Sequence, residues 1–155
     1  MSIPTSIQTS MELSLPSELG FEVIARDAVA AFARRFGIAA DRIEDLKTVL
    51  SEACINAIEH GNSLHPELRV QIFCRLENER LIVDVMDHGV VPFVIQGTPL
   101  SMVDKIAGLG SLRGMGLMLI SQLSDEAGFV AGTGDGNCFR FAFCCQYTNG
   151  TGLGF

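Results

Sequence analysis

The sequence predicts an α+β domain, a two-layer α/β sandwich in which a mixed, mostly antiparallel sheet carries its helices on one face. Residues 69–76 alternate in side-chain direction between an apolar and a mostly polar face, a short polar turn follows, and the apolar run at 81–87 is the returning strand, which together indicate a hairpin. Two amphipathic helical segments precede that hairpin, and only one short strand precedes them. Because strands and helices do not alternate along the chain, a parallel sheet is not expected.

The first elements are a short strand over residues 11–15 and a helix over residues 18–36. Pro16 and Ser17 separate them, and Ser17 is expected to cap the helix, which Gly37 ends. The apolar residues that keep the helical step are Phe21, Ile24, Ala28, Ala31, Phe32 and Phe36.

The next helix, over residues 41–60, combines an apolar stripe with polar residues on its flank. The stripe consists of Leu46, Val49, Leu50, Ala53 and Ala57. Glu52 and Asn56 are four residues apart, so they are neighbours on the helix surface, with Glu59 beside them. This pattern is typical either of a side that lines a cleft or of an ordinary amphipathic helix with a polar shoulder. Gly61 and Asn62 end the helix.

The returning strand of the hairpin ends in Asp87, which shares the inward face of Leu81, Val83 and Val85. An inward carboxylate costs several kcal/mol unless it has a partner. That partner is either a backbone amide of the next turn or the amino group of a ligand.

A glycine-rich segment precedes the following helix. Residues 90–107 resemble a loop with a short helix at 101–107, and residues 117–123 form an apolar helix. Between them, four glycines stand in the nine residues 108–116, together with Arg113. A glycine-rich turn that opens into a helix is suited to bind phosphate, because it brings free N–H groups and the helix dipole to the anion. The alternative is a flexible linker.

Two further strands, at residues 127–131 and 137–145, complete the predicted sheet. We therefore expect a flexible arm at 1–10, one domain at 11–145 and a glycine-rich tail at 146–155.

The composition indicates which classes of partner and which cellular compartment to expect. The net charge of −7 and the absence of a Lys/Arg run argue against a nucleic acid or an anionic membrane as partner. The sequence has no apolar run of membrane-spanning length and no signal peptide, so a cytoplasmic location is expected. The five cysteines lie in predicted helix and strands, which favours reduced, mostly buried thiols.

Three separated motifs resemble those of the Bergerat-fold (GHKL) ATP-binding family, the superfamily that includes gyrase and the histidine kinases. Its N box resembles Glu52-x-x-x-Asn56-Ala57-x-x-His60-Gly61, and its first glycine box resembles Asp87-His88-Gly89. Its second glycine box resembles Gly114-Met115-Gly116-Leu117-x-Leu119-Ile120. The segment 13–19 and the pair Asp125-Glu126 are similar to the bacterial anti-sigma-factor serine/threonine protein kinases.

The resemblance implies a Bergerat ATP-binding fold over residues 11–145 and a set of roles. Asn56 would bind the Mg²⁺ that bridges the ATP phosphates, Glu52 would be the general base, and Asp87 would accept a hydrogen bond from the adenine amino group. Gly89 would let the purine approach the backbone. The other implied nucleotide contacts are His60, Gly108, Gly110, Arg113, Gly114, Met115 and Gly116.

The function that the resemblance implies is an ATP-dependent serine protein kinase that regulates transcription by partner switching. Its substrate would be a serine of a STAS-type anti-anti-sigma protein, its second partner a sigma factor, and its assembly a homodimer. Two alternatives remain. One is a non-catalytic nucleotide-binding switch protein, which Val91 favours because many family members have glycine there. The other is an α/β protein that binds no nucleotide.

Overall fold

The computed structural model describes residues 9–89, 119–130 and 136–145. Within these ranges the main elements are β1 (Ser10–Pro16), α1 (Phe21–Arg34), α2 (Ala40–Asn56), β2 (Arg69–Glu77), β3 (Arg80–Met86), β4 (Glu126–Phe129) and β5 (Cys138–Cys144). A π-helical turn over Ala57–Gly61 continues α2, and residues 119–123 are helical. The predicted short helix at 101–107 and most of the glycine-rich segment lie outside the described residues.

The described strands form one five-stranded sheet in the order β1-β2-β3-β5-β4, and each neighbouring pair is antiparallel. The predicted α+β class is confirmed, with an antiparallel sheet among these strands. The hairpin of β2 and β3 turns through Asn78 and Glu79, whose φ angles are 53° and 61°. Two consecutive residues with positive φ form the tight turn whose twist suits an antiparallel hairpin. The turn sets the register that pairs Leu76 with Leu81.

One hydrophobic core lies between the helices and one face of the sheet. All five residues of the stripe predicted on α2 are buried in it, which confirms that face of the helix. The sheet contributes Val70, Ile72, Cys74, Leu81, Val83, Val85, Phe141 and Phe143. The helices therefore cover the face of the sheet on which Asp87 was predicted to lie.

Helix α1 presents a different face to the core from the one predicted. Its buried residues are Ala25, Val29, Ala30 and Ala33, whereas Ile24 is 50% exposed. The helix carries four charged residues, but its apolar residues extend over more of its surface than the core buries, so the periodicity alone does not define the buried face. Three alanines and Val29 thus face the core, Phe32 packs partly buried against it, and Ile24 lies outside it. The predicted cap was also wrong, because the helix begins after Gly20 and Ser17 is buried in another contact.

The opposite face of the sheet holds a buried carboxylate, Asp84, at the centre of β3. The guanidinium of Arg140 on β5 donates to both of its oxygens, at 2.7 and 3.0 Å, and Arg75 on β2 lies at 3.5 Å. A carboxylate so removed from water needs such partners. Strand β3 is therefore buried on both faces, which explains why its burial does not alternate.

Candidate functional site

Asn56, the last residue of α2, is a buried amide with no hydrogen-bond partner among the described residues. Its side chain is 9% exposed and lines a small cavity in the core. Within the described part of the chain, neither Oδ1 nor Nδ2 has a hydrogen-bond partner. Each unsatisfied buried polar group costs about 1–3 kcal/mol, and such groups are rare in native proteins. A ligand that supplies the missing partners is a direct explanation for keeping an asparagine here.

Asp87 follows β3 and lines the same cavity. It is 7% exposed, so the inward position predicted from the period of two is confirmed. Its Oδ1 accepts hydrogen bonds from Gly89 N at 2.8 Å, Asn137 N at 3.2 Å and Asn137 Nδ2 at 3.1 Å. A backbone amide of the next turn is thus one of its partners. An ionised carboxylate accepts about four hydrogen bonds, so it retains the capacity to accept from a ligand's amino group.

The protonation of Asp87 is governed by opposing effects. Burial raises the pKa of its carboxyl group, and the hydrogen bonds from Gly89 and Asn137 lower that pKa in part. Burial has the larger effect, because the cavity removes the charge from water and the three donors replace that hydration incompletely.

Three glycines allow the backbone to close around Asp87. A Cβ on Gly61 would overlap the Asp87 carboxylate, and a Cβ on Gly89 would overlap the carbonyl oxygen of Gly61. Gly136, with φ of +89°, would bring a Cβ into the carbonyl oxygen of Asp87. Gly61 lies within the π turn and its φ is not positive, so this close approach, and not the left-handed helix end expected from the sequence, is the reason for glycine here. For Gly89 the structure adds a packing reason to the role that the resemblance implies.

Sequence reasoning missed two residues that hold Asp87 in place, Asn62 and Asn137. Asn62 Oδ1 accepts from His88 N at 2.7 Å, and Asn137 donates twice to the carboxylate. Each of these asparagines directly follows a glycine. Because Gly-Asn also marks ordinary turns, the local sequence does not distinguish this role from a turn.

The cavity between Asn56 and Asp87 is apolar on its remaining sides. Its lining consists of Ala53, Asn56, Ala57, Val85, Asp87, Phe129 and Phe139. The rings of Phe129 and Phe139 pack edge to face, with their centroids 5.0 Å apart. The cavity volume of about 20 Å³ holds roughly one water molecule, whereas small-molecule pockets usually measure about 300–1,000 Å³. The space that these described residues enclose is therefore smaller than a nucleotide.

The remaining predicted site residues divide into two groups. Glu52 lies one helical turn before Asn56 and is half-buried, while His60 is exposed in the π turn. The structure thus brings Asn56, Asp87 and Gly89 together, with Glu52 on the adjoining turn. The other predicted contacts lie outside the described residues: Gly108, Gly110, Arg113, Gly114, Met115 and Gly116.

Comparison with known proteins identifies a family and several relatives. The family model for the histidine kinase-like ATPase domain matches residues 15–143. A serine-protein kinase RsbW from Bacillus velezensis is 31% identical over 135 residues, which cover 80% of this chain and 79% of that protein. The RsbW of Bacillus subtilis is 32% identical, covering 75% and 74% of the two chains. An anti-sigma F factor from Oceanobacillus iheyensis is 34% identical over 54% of this chain and 58% of its own.

A solved structure supports the same fold. The crystal structure of the RsbU and RsbW domains of a Mycobacterium tuberculosis protein superposes with a TM-score of 0.62 at 17% identity. The match covers 88% of this chain but only 32% of the larger one, so the likeness concerns the fold of one domain. No helix among the described residues is long and apolar enough to cross a membrane.

Proposed function

The chain belongs to the family of histidine kinase-like ATPase domains, and on that premise we propose that it is an ATP-dependent serine protein kinase acting as an anti-sigma regulator. Relatives named serine-protein kinase RsbW, at 31–32% identity over about three quarters of the chain or more, support the reaction type. A relative named anti-sigma F factor supports the regulatory role.

One observation carries the proposal: the unpartnered amide of Asn56 and the buried carboxylate of Asp87 line one cavity. The two groups suit the two ends of a nucleotide. An amide oxygen is a ligand that Mg²⁺ accepts readily, and Asn56 has that oxygen available in the described structure. The residues present therefore fit a bound Mg²⁺, which would neutralise charge on the ATP phosphates.

Asp87 would recognise the base. Hydrogen bonds to its Oδ1 hold the carboxylate at the cavity wall, and its remaining capacity is for a donor such as the adenine amino group. The apolar walls, including Phe129 and Phe139, would contact the flat ring once the cavity has widened. The phosphates would be bound by the glycine-rich segment 108–116 with Arg113, as the sequence predicts.

Glu52 would act as the general base of the transfer. The hydroxyl oxygen of a partner serine would attack the γ-phosphorus, and the bond from that phosphorus to the β–γ bridging oxygen would break, releasing ADP. The serine proton would pass to the Glu52 carboxylate, which is half-buried one helical turn before Asn56.

The proposal includes two protein partners. The substrate would be a STAS-type anti-anti-sigma protein, and its phosphorylation would leave the kinase available to bind a sigma factor. We further propose a homodimer that acts in the cytoplasm, the compartment that supplies ATP. The alternative is a nucleotide-binding switch protein that regulates its partner without phosphorylating it.

Phosphate transfer to a partner tests the proposal. The protein is incubated with Mg²⁺, radiolabelled ATP and purified STAS-domain proteins of the same organism, and labelled serine is measured. We expect Glu52→Gln to lower the transfer rate by at least about a hundredfold, the usual contribution of a general base, while Mg-ATP binding persists. Glu59→Gln is the matched control, since Glu59 lies on the same flank and is also half-buried. It should transfer phosphate within about twofold of the wild-type rate.

The outcomes separate the two functions. Mg-ATP binding without labelling of any STAS protein would favour the switch protein over the kinase. Equal loss in both glutamate variants would refute the assignment of Glu52 as the base. A wild-type protein whose melting temperature does not respond to saturating Mg-ATP would contradict the nucleotide site itself.

A further inference from the structure

Asn62 lies at the junction of three parts of the fold. It directly follows the π turn, and its side chain is 1% exposed. Its Nδ2 donates to Ser17 Oγ, at the exit from β1, and to the carbonyl oxygen of Arg69, at the start of β2, at 3.1 Å. Its Oδ1 accepts from His88 N at 2.7 Å. This buried asparagine therefore has partners for both ends of its amide, whereas Asn56 has none among the residues that the structure describes.

The hydrogen bond to His88 completes a series that fixes the backbone on both sides of Asp87. Asp87 N donates to the carbonyl oxygen of Asn137 at 3.0 Å, His88 N donates to Asn62, and Gly89 N donates to the Asp87 carboxylate at 2.8 Å. Three consecutive amides are therefore held by three different acceptors. The acceptor on Asn62 is the one that attaches this turn to the end of α2.

The same contact sets the distance between the turn and the helix end. Gly61, the neighbour of Asn62, is packed so closely against Asp87 that a Cβ would overlap the carboxylate. A loss of the Asn62–His88 bond would let the turn move away from Gly61. The hydrogen bonds from Gly89 and Asn137 to Oδ1 would remain, whereas Oδ2, which lies against Gly61, would lose that packing and the carboxylate could rotate about its restrained oxygen.

We propose that Asn62 is a positioning residue: it fixes the orientation of the Asp87 carboxylate so that this group can recognise an amino group on a purine base. This inference rests on the proposed function for the role of Asp87. The proposal that Asn62 restrains the backbone of residues 87–89 does not depend on nucleotide, and it is tested separately.

The role of Asn62 in base recognition is tested by comparing the affinities for two purine triphosphates. Dissociation constants are measured with Mg²⁺ for ATP and for purine riboside triphosphate, which lacks the amino group at the same ring position. A hydrogen bond to a charged group gives the wild type a preference for ATP of roughly tenfold to a hundredfold. In Asn62→Ala we expect that preference to fall below about threefold, while affinity for the analogue stays within about threefold of wild type. General destabilisation of the fold would weaken both ligands equally.

Two further variants separate positioning from stability. Ser17→Ala removes another partner of Asn62 but leaves the His88 bond, so it should lower the melting temperature and keep the preference for ATP. Asn62→Asp keeps the acceptor for His88 N and loses the donor, so it should also keep the preference. Either Asn62 variant that folds decides the question. Retained preference in Asn62→Ala, or lost preference in Asn62→Asp, would overturn the proposal.

Amide hydrogen exchange provides the test without nucleotide. The His88 amide should be protected in wild type and in Ser17→Ala, and should exchange at least about tenfold faster in Asn62→Ala. Unchanged protection would overturn the restraint. If protection changes as expected but the wild type binds both triphosphates equally, the base-recognition role of Asp87 is refuted, and with it the positioning role.

Discussion

Replacing Asn56 with leucine is expected to stabilise the protein and to remove its response to nucleotide. In the described structure both polar atoms of this buried amide lack partners. One such group costs about 1–3 kcal/mol, and we take the cost of a single group as the conservative figure. The adjoining cavity of about 20 Å³ accommodates the methyl groups. The free energy of unfolding of Asn56→Leu should therefore rise by about 1–3 kcal/mol.

Thermal melts with and without Mg-ATP measure both effects. For a chain of this size, each kcal/mol shifts the melting temperature by about 2–4 °C. Mg-ATP at a hundred times its dissociation constant should stabilise the wild type by about 2.7 kcal/mol and leave Asn56→Leu unchanged. The variant should thus melt above the wild type without nucleotide and lose that advantage with it.

Asn62→Leu is the matched control, the same exchange at the other buried asparagine of this helix end. Its three hydrogen bonds are each worth about 0.5–1.5 kcal/mol, and their partners would be left unsatisfied, so this variant should melt well below the wild type. If Asn56→Leu destabilises the protein as much as Asn62→Leu does, Asn56 is an ordinary structural residue and the reasoning fails.

Three other predictions follow from the same region and from the cysteines. Gly61→Ala should lower the free energy of unfolding by about 1–3 kcal/mol in denaturant titrations, because its Cβ would overlap the Asp87 carboxylate. Gly128→Ala is the control, since open space surrounds Gly128 and its free energy of unfolding should not fall in this way. Equal effects of the two substitutions would contradict the close packing of Gly61. Since burial raises the pKa of Asp87 above its usual 3.8, the folded protein holds this proton more tightly than the unfolded chain, and stability is lost as pH rises from about 4 through the folded pKa. Asp87→Asn should therefore gain stability relative to wild type over that range in urea titrations, and a difference independent of pH would refute the assignment. Cys144 is exposed and the other four cysteines are buried, so a thiol reagent should modify one thiol per native chain rapidly and lose that fast phase in Cys144→Ser.

Much of the fold could be predicted from local patterns. The stripe of α2 and the inward position of Asp87 depend only on the helical and strand periods, which act within one element. The positions of the hairpin turn and of the strands also follow from local patterns, and each predicted strand lies within two residues of its observed bounds. The buried face of α1 did not follow from such patterns, because its apolar residues extend over more of the helix surface than the core buries, and packing selected the side that carries Ala25, Val29, Ala30 and Ala33.

The candidate site was predicted in part. The four-residue spacing of Glu52 and Asn56 places them on one flank of α2, and the resemblance to a known family assigned their roles. What the spacing does not contain is the hydrogen-bonding state of each amide. Asn56 and Asn62 are both buried asparagines near one helix end, yet folding brings partners to Asn62 and, within the described ranges, none to Asn56.

The sequence by itself determined which residues are chemically equipped for a nucleotide site and on which face of each element they lie. The tertiary structure alone decided how Asp87 is held, through Asn62 and Asn137, which are 25 or more residues away along the chain. The physical reason is that periodicity acts within one element, whereas these hydrogen bonds and the contact of Gly61 with Asp87 form only after separate elements have packed together.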